Sequence, residues 1–170
     1  MTRSILSLSV AALALAGCAT VPATTPAPVA EVAAGPAAPA TAPGPDFLAR
    51  NGAAKGVVTT SSGLQYFIVK SGPATGPHPT GEDTVNFDYE GKLITGETFD
   101  SSYTEGRPLV GQVNKFVPGF SEALQLMRPG DEWIVWIPPE LGYGSKSVGP
   151  IPPNSVLRFK LVLHSVTPKA

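Results

Sequence analysis

Cysteine and histidine are scarce in this 170-residue chain, and their scarcity excludes several kinds of chemistry. Cys18 is the only cysteine, so the chain cannot form an internal disulfide. His78 lies between prolines and His164 lies on the outward face of a predicted strand, and neither has a neighbour at metal-ligand spacing. No glycine cluster has the lysine spacing of a phosphate-binding loop, and no Ser-His-Asp set is evident. We therefore expect neither a metal nor a cofactor.

Charge is also sparse. Charged residues make up 15% of the chain, below the roughly 25% of ordinary soluble domains. The formal net charge is -1, so no basic field would attract nucleic acid. Much of the deficit lies in the first 45 residues, which therefore differ in kind from the rest. The remaining length is enough for one folded domain.

The longest apolar stretch lies at the N-terminus. It runs from Ile5 to Ala16, follows the positive charge of Arg3 and is interrupted only by Ser7 and Ser9. A membrane-spanning helix needs about 20 apolar residues, so this stretch is too short to span. A positive start, a short apolar run and small residues at its end are typical of an export signal, which we place at residues 1–17.

The end of this signal indicates lipidation. Leu15-Ala16-Gly17-Cys18 places small residues before the cleavage point and a thiol after it. This resembles the lipobox of bacterial lipoproteins, which implies that Cys18 carries lipid and anchors the chain in the cell envelope. We expect the outer membrane, facing the periplasm. The alternative is an ordinary secretory signal with a cysteine near the cut, but an unpaired thiol is a liability in an oxidising compartment.

A segment poor in charge and aromatic residues follows, from residue 18 to 45. Ala, Pro and Thr dominate it, and Glu31 is its one charge. It cannot bury enough apolar surface to offset the entropy of ordering, so we predict a disordered spacer. Extended at about 3.1 Å per residue, it would reach up to roughly 80 Å. Residues 46–62 form a lead-in, in which Asp46 and Gly52 could cap one short helical turn.

Periodicity predicts a mostly β domain over residues 63–170. Apolar residues alternate with polar ones around Val85, Phe87 and Tyr89, and again from Leu157 to Leu163. Two further strands are predicted at Leu64–Lys70 and Glu132–Ile137, the latter apolar enough to be covered on both faces. One helix interrupts them, since apolar residues recur at helical spacing, at Phe120, Ala123, Leu124 and Met127. The predicted class is α+β, an antiparallel sheet curled around one short amphipathic helix.

Aromatic residues recur beside single polar groups at predicted strand ends and loops. They occur in four segments, Tyr89-Glu90-Gly91, Phe99-Asp100-Ser101-Ser102, Val117-Pro118-Gly119-Phe120 and Gly142-Tyr143-Gly144. This composition suits an apolar cleft with a few oriented polar atoms.

These segments, in this order, resemble the FKBP-type peptidyl-prolyl cis-trans isomerases. Met127-Arg128-Pro129-Gly130, Ile151-Pro152-Pro153 and Leu157-Arg158-Phe159 extend the resemblance, which covers residues 63–166. It implies a sheet wrapped around a short helix, as the periodicity does. It also implies isomerisation of proline-containing protein substrates, here exported proteins during folding, without a cofactor, and macrolides as inhibitors.

The resemblance assigns residues to the site. Asp100 and Tyr143 would be catalytic, and the substrate would contact seven others, Tyr89, Phe99, Phe116, Val117, Phe120, Ile151 and Phe159. The alternatives are that several of the apolar residues are ordinary core, that Asp100 forms a turn, and that Tyr143 packs a loop.

Three departures from the family bear on function. Phe120 stands where many members have tryptophan, Leu109 where an aromatic residue is common, and the loop over residues 145–150 is one residue shorter. We expect altered substrate preference and weaker macrolide affinity. Phe120 and the shorter loop also favour the alternative, a binding module or chaperone with little turnover, whereas four intact positions favour the enzyme, Tyr89, Phe99, Asp100 and Tyr143. In some relatives a helical arm mediates dimerisation, but only Asp46–Ala54 could represent its end here, so we expect a monomer.

Overall fold

The computed structural model describes residues 45–169, so the predicted signal peptide, Cys18 and the spacer up to residue 44 lie outside the described residues. Three α-helices are present in this range, α1 (Pro45–Gly52), α2 (Ser102–Glu105) and α3 (Pro118–Leu126). Seven strands form the sheet, β1 (Val57–Thr59), β2 (Gln65–Lys70), β3 (Thr84–Leu93), β4 (Thr98–Ser101), β5 (Leu109–Gln112), β6 (Glu132–Ile137) and β7 (Leu157–Thr167). Short 3₁₀ helices lie at Val113–Lys115 and Pro139–Leu141.

The strands form one antiparallel sheet in the order β1-β2-β6-β7-β3-β4, with β5 also paired to β3. Strand β3 is central to the site, because β7 pairs along its whole length on one edge. The other edge is shared, since β5 pairs with its first residues and β4 with its last.

The predicted α+β class is confirmed, and the local patterns explain why. On β3, Val85 and Phe87 are fully buried, as the alternation with polar residues requires. The four predicted apolar positions are all buried in the main core, Phe120, Ala123 and Leu124 on α3 and Met127 directly after its last residue. Helix α3 ends before Arg128, because Pro129 and Gly130 cannot continue it.

Strand β6 is covered on both faces, as predicted. Trp133, Val135 and Ile137 point into the main core. Ile134 and Trp136 point to the opposite face and join a second apolar cluster. This strand therefore needs a cover on the outer face of the sheet.

Helix α1 supplies that cover. It has 8 residues, about two turns rather than the one expected. Phe47 is 7% exposed and packs in the second cluster with Ile134, Trp136 and Val156. The elements without a sequence prediction include β1, α2 and β5, because each is only three or four residues long, too short for a periodic signal.

The described helices include no segment that is both long enough and apolar enough to cross a membrane.

We predict that Phe47→Ala destabilises the folded part. Removing a buried phenylalanine costs about 3–5 kcal/mol, which in a domain of this size lowers Tm by roughly 10 °C or more. Thermal unfolding followed by circular dichroism measures the change. Arg50→Ala, on the exposed side of α1, is the matched control and should stay within about 0.5 kcal/mol. Equal Tm values for the two variants would show that the packing of α1 contributes nothing to the stability of the folded part.

Candidate active site

The site begins at a glycine on β3. Gly91 pairs with Asp100 on β4 and with Phe159 on β7. A Cβ atom at Gly91 would lie 2.6 Å from Phe99 Cε2 and 2.8 Å from Phe159 Cε1, which is too close for any side chain. The missing side chain leaves the space in which these two rings meet edge to face, with centroids 5.5 Å apart.

Phe120 forms the floor of the site. Its ring is 5% exposed and packs at right angles on Phe159, with centroids 5.0 Å apart. It also contacts three further rings, at 5.1, 5.4 and 6.3 Å, those of Phe116, Phe87 and Tyr89. Such edge-to-face and tilted pairs add about 0.5–1.5 kcal/mol beyond burial. The floor is therefore rigid and apolar.

A second glycine sets how closely α3 approaches the sheet. A Cβ atom at Gly119 would lie 2.6 Å from Ile137 Cγ2 and 3.0 Å from Leu141 Cβ. Only glycine therefore allows the first turn of α3 to pack against the end of β6 and the 3₁₀ helix that follows it. Because Phe120 is the next residue, this close approach places its ring under the cleft.

The result is a cleft of about 310 Å³ between the inner face of the sheet and α3. Eight residues that the sequence assigned to the site line it, Tyr89, Phe99, Asp100, Phe116, Val117, Phe120, Tyr143 and Phe159. The other two lining residues are Leu109 and Lys115. Lys115 was missed by the sequence analysis, and only its position next to Phe116-Val117 could have indicated it.

Ile151, which was also assigned to substrate contact, is not among the lining residues of this cleft. It is 4% exposed and belongs to the main core. Its backbone forms two hydrogen bonds with Val148, of 2.9 and 3.0 Å, which close the loop between them.

Two polar groups on one wall of the cleft are hydrogen bonded to each other. The Tyr89 hydroxyl donates to Asp100 Oδ2 over 2.8 Å. Burial raises the pKa of Tyr89, and the hydrogen bond to Asp100 and its charge raise it further. The phenol therefore stays protonated and orients the carboxylate.

Tyr143 belongs to the same cleft through a different loop. It follows the 3₁₀ helix Pro139–Leu141 and packs partly buried against the core. Its hydroxyl makes no hydrogen bond with any residue in the range 45–169. That hydroxyl can therefore donate to a ligand.

Serine side chains hold Tyr89 in place where β3 changes partner. Glu90 pairs with Ser101 on β4, and Phe87 pairs with Leu109 on β5, so the edge between them has no facing strand. The Tyr89 amide instead donates to Ser102 Oγ over 3.0 Å, and Ser101 Oγ donates to the Tyr89 carbonyl over 3.3 Å. The sequence analysis placed these serines in the motif but did not assign them this role.

Ser102 also connects the site to the outer face of the sheet. Its hydroxyl donates to Asp88 Oδ1 over 2.7 Å, and Asp88 Oδ2 lies 2.8 Å from His164 Nε2. Burial by itself would raise the pKa of Asp88, but the hydrogen bonds from Ser102 and His164 outweigh it and hold that pKa below its ordinary value. The resulting stabilisation is present above the ordinary pKa and is lost as pH falls through the lowered one.

The geometry defines a class of protein. It is an α+β protein with an apolar, aromatic cleft between a curled antiparallel sheet and a single helix, and with a few oriented polar atoms at the wall. Nothing in the described range groups three or more His, Cys, Asp or Glu side chains as metal ligands would be grouped. Such a cleft can bind an apolar group and hydrogen-bond its carbonyl.

Comparison with known proteins identifies the family. A family model described as FKBP-type peptidyl-prolyl cis-trans isomerase matches residues 76–164, just over half of the chain. A second, described as the domain amino terminal to FKBP-type peptidyl-prolyl isomerase, matches residues 26–68. The chain belongs to the FKBP-type peptidyl-prolyl cis-trans isomerase family, which confirms the resemblance read from the motifs.

Individual relatives agree with this assignment. Over 126 residues the chain is 48% identical to outer membrane protein MIP of Legionella longbeachae, covering 74% of this chain and 53% of that protein. The crystal structure of FkpA from Escherichia coli is 41% identical with a TM-score of 0.69, covering 72% of this chain and 57% of that one. A peptidyl-prolyl cis-trans isomerase from Pseudomonas syringae is 31% identical with a TM-score of 0.67, covering 72% and 90%. The chain thus spans about half the length of the Legionella protein.

The Ser102 hydroxyl accepts the hydrogen bond of the Tyr89 amide, where no strand pairs with β3. We therefore predict that Ser102→Ala lowers the free energy of unfolding by about 1–3 kcal/mol. It leaves the part-buried amide of Tyr89 without an acceptor. It also removes a donor to Asp88, so the pKa of that carboxyl should rise. Urea unfolding and carboxyl titration by nuclear magnetic resonance measure these two effects. Ser61→Ala, at an exposed position, is the control, and a Ser102→Ala variant as stable as this control would contradict the role.

Proposed function

We propose that the cleft catalyses the cis-trans isomerisation of Xaa-Pro bonds in protein substrates. The observation that carries the proposal is the apolar floor of Phe120 beside the Tyr89–Asp100 hydrogen bond of 2.8 Å. Membership of the isomerase family supports it. The mechanism needs no covalent step, metal or nucleotide.

The chemistry follows from amide resonance. Rotation about the C–N bond meets a barrier of about 18–20 kcal/mol. The planar amide carries negative charge on oxygen and positive charge on nitrogen, whereas the twisted amide has lost much of this polarity. Apolar walls therefore disfavour the planar ground state relative to the twisted transition state.

Two polar side chains complete the mechanism. The Tyr143 hydroxyl donates to a carbonyl of the substrate and holds the peptide in the cleft. Asp100, oriented by Tyr89, faces the twisting carbonyl and keeps the polar network of the wall in order. A thousandfold acceleration requires about 4 kcal/mol, which a shaped cleft with two such contacts can supply.

The test of these roles is isomerisation of a Leu-Pro peptide without a coupled protease. Tyr143→Phe removes one hydrogen bond, so kcat/KM should fall by a few-fold to about tenfold. Asp100→Ala should lower it by about ten- to a hundredfold, because the Tyr89 hydroxyl then loses its acceptor. Tyr103→Phe and Asp46→Ala change an exposed tyrosine and an exposed aspartate outside the cleft and serve as matched controls.

Two results would count against the proposal. A folded wild-type protein that is no faster than the uncatalysed reaction would favour the binding module or chaperone. An active wild type whose rate survives both Tyr143→Phe and Asp100→Ala would remove these two residues from the mechanism.

Macrolides would compete for the same cleft, with affinity weakened because Phe120 is smaller than tryptophan and lacks an N–H donor. A monomeric state stays a prediction.

We further propose that the protein assists the folding of exported proteins while anchored to the cell envelope through lipid on Cys18. Leu15-Ala16-Gly17-Cys18 supports this, since a lone cysteine follows small residues at the end of an export signal. The Legionella relative is named an outer membrane protein. Two or more acyl chains would hold the chain firmly, whereas a single chain gives marginal binding.

Cys18→Ala should therefore move the protein from the membrane fraction to the soluble fraction or leave the precursor uncleaved. Thr20→Ala, two residues further on, should change neither property. Detergent partitioning and intact mass measure both. Identical partitioning, with masses that differ only by the exchange of cysteine for alanine, would show that the cysteine carries no lipid.

A further inference from the structure

A second cavity adjoins the proposed isomerase cleft. It has a volume of about 480 Å³, and Tyr89, Asp100 and Leu109 line both it and the cleft. A polypeptide whose proline lies in the cleft therefore has a continuous path across these shared residues. The second cavity is large enough for one further side chain of a peptide.

The outer walls of this cavity come from the segment that leaves the sheet between β4 and β5. Glu105 ends α2, and Gly106 then reverses the chain with a φ of 68°. Arg107 follows, and Val110 lies on β5. Both charged residues and Val110 line the cavity.

The wall combines exposed apolar surface with charge. Val110 is 61% exposed and Leu109 is 37% exposed, and large aliphatic groups at such exposure offer a surface for a ligand. Within residues 45–169, neither Glu105 nor Arg107 takes part in a salt bridge. Their charges are therefore available to a bound peptide.

The carboxylates of Asp100 and Glu105 both act on Tyr89, which lies in the wall that the cleft and the second cavity share. Asp100 accepts the Tyr89 hydroxyl directly. Burial is the main cause of the raised pKa of Tyr89, the hydrogen bond and charge of Asp100 follow, and the charge of Glu105 adds to them. Both carboxylates thus act on the hydroxyl at the junction of the two cavities.

We propose that the second cavity is a subsite for the substrate residue flanking the Xaa-Pro unit, and that it favours lysine or arginine there. The proposal rests on the isomerase function of the cleft. The aliphatic stem of such a residue would lie along Leu109 and Val110, while its cation would approach Glu105 and Asp100. Arg107 carries the opposite charge in the same cavity, so an acidic residue in the substrate is the alternative that the test must exclude.

The test uses the full chain in non-ionic detergent and peptides of the form Ala-Ala-Leu-Pro-Phe-Ala-Ala. The phenylalanine and each alanine are replaced in turn by lysine or glutamate, so that both residues flanking Leu-Pro are tested, and kcat/KM is measured by exchange spectroscopy. At one flanking position the lysine peptide should exceed the glutamate peptide by about three- to tenfold, the size expected for a partly exposed charge interaction. Because the interaction is screened, salt at about 0.5 M should reduce the ratio toward one.

Variants assign the preference to the cavity. Glu105→Gln should reduce the lysine-to-glutamate ratio by at least half, Glu105→Lys should invert it, and Arg107→Gln should raise it. Glu97→Gln removes an equal charge from an exposed turn outside both cavities and should leave the ratio unchanged. An equal rate for lysine and glutamate peptides in the wild type, or a ratio that Glu105→Lys does not change, would overturn the proposal.

Failure of the isomerase function gives a different result. In that case the unsubstituted peptide is no faster with protein than without it, and the subsite is judged by binding instead. The dissociation constants of fluorescent lysine and glutamate peptides should then show the same ratio and the same response to Glu105→Lys. Equal dissociation constants would overturn the subsite as well.

Discussion

The packing of Phe120 is the interaction on which both the fold and the cleft depend. Its ring is buried between α3 and the sheet and meets Phe159 edge to face at 5.0 Å. The same ring is core on one side and the floor of the cleft on the other. Because protein interiors are close-packed, the position of α3 cannot change without changing the shape of the cleft. Two glycines make this arrangement possible, since Gly119 lets α3 approach β6 and Gly91 leaves room for the rings of Phe99 and Phe159.

The shared edge of β3 explains why the polar part of the site lies where it does. A strand would normally satisfy the backbone of Tyr89, but β4 ends and β5 begins on either side of it. Side-chain hydroxyls of Ser101 and Ser102 take over this task, and a buried amide without a partner would otherwise be costly. The chain that leaves the sheet at this break, over residues 102–108, forms the outer wall of the second cavity. One interruption of the sheet therefore fixes Tyr89 and creates the neighbouring space.

The apolar floor of the cleft and the charged residues of the second cavity have separate effects on a bound substrate. The floor needs to be free of charge, because a nearby ion would solvate the planar amide and reduce the advantage of the twisted one. Glu105 and Arg107 lie at exposed positions and line only the second cavity, where charge can act on the flanking substrate residue without reaching the floor. The proposed selectivity therefore depends mainly on residues outside the cleft, whereas Asp100 and Tyr89 line both spaces and take part in both proposals.

Local periodicity was enough to predict the long strands β3 and β7, the two-sided burial of β6 and the buried face of α3, because each is encoded within one segment. The family motifs likewise indicated eight of the lining residues. Other features depended on contacts between distant segments. Strands β1 and β5 exist only because β2 and β3 offer them a free edge, and whether Ile151 lines the cleft likewise depends on how its loop packs. The role of Ser102 and the second cavity needed the tertiary structure as well, since a missing strand partner and an unfilled space are properties of packing that no single stretch of sequence contains.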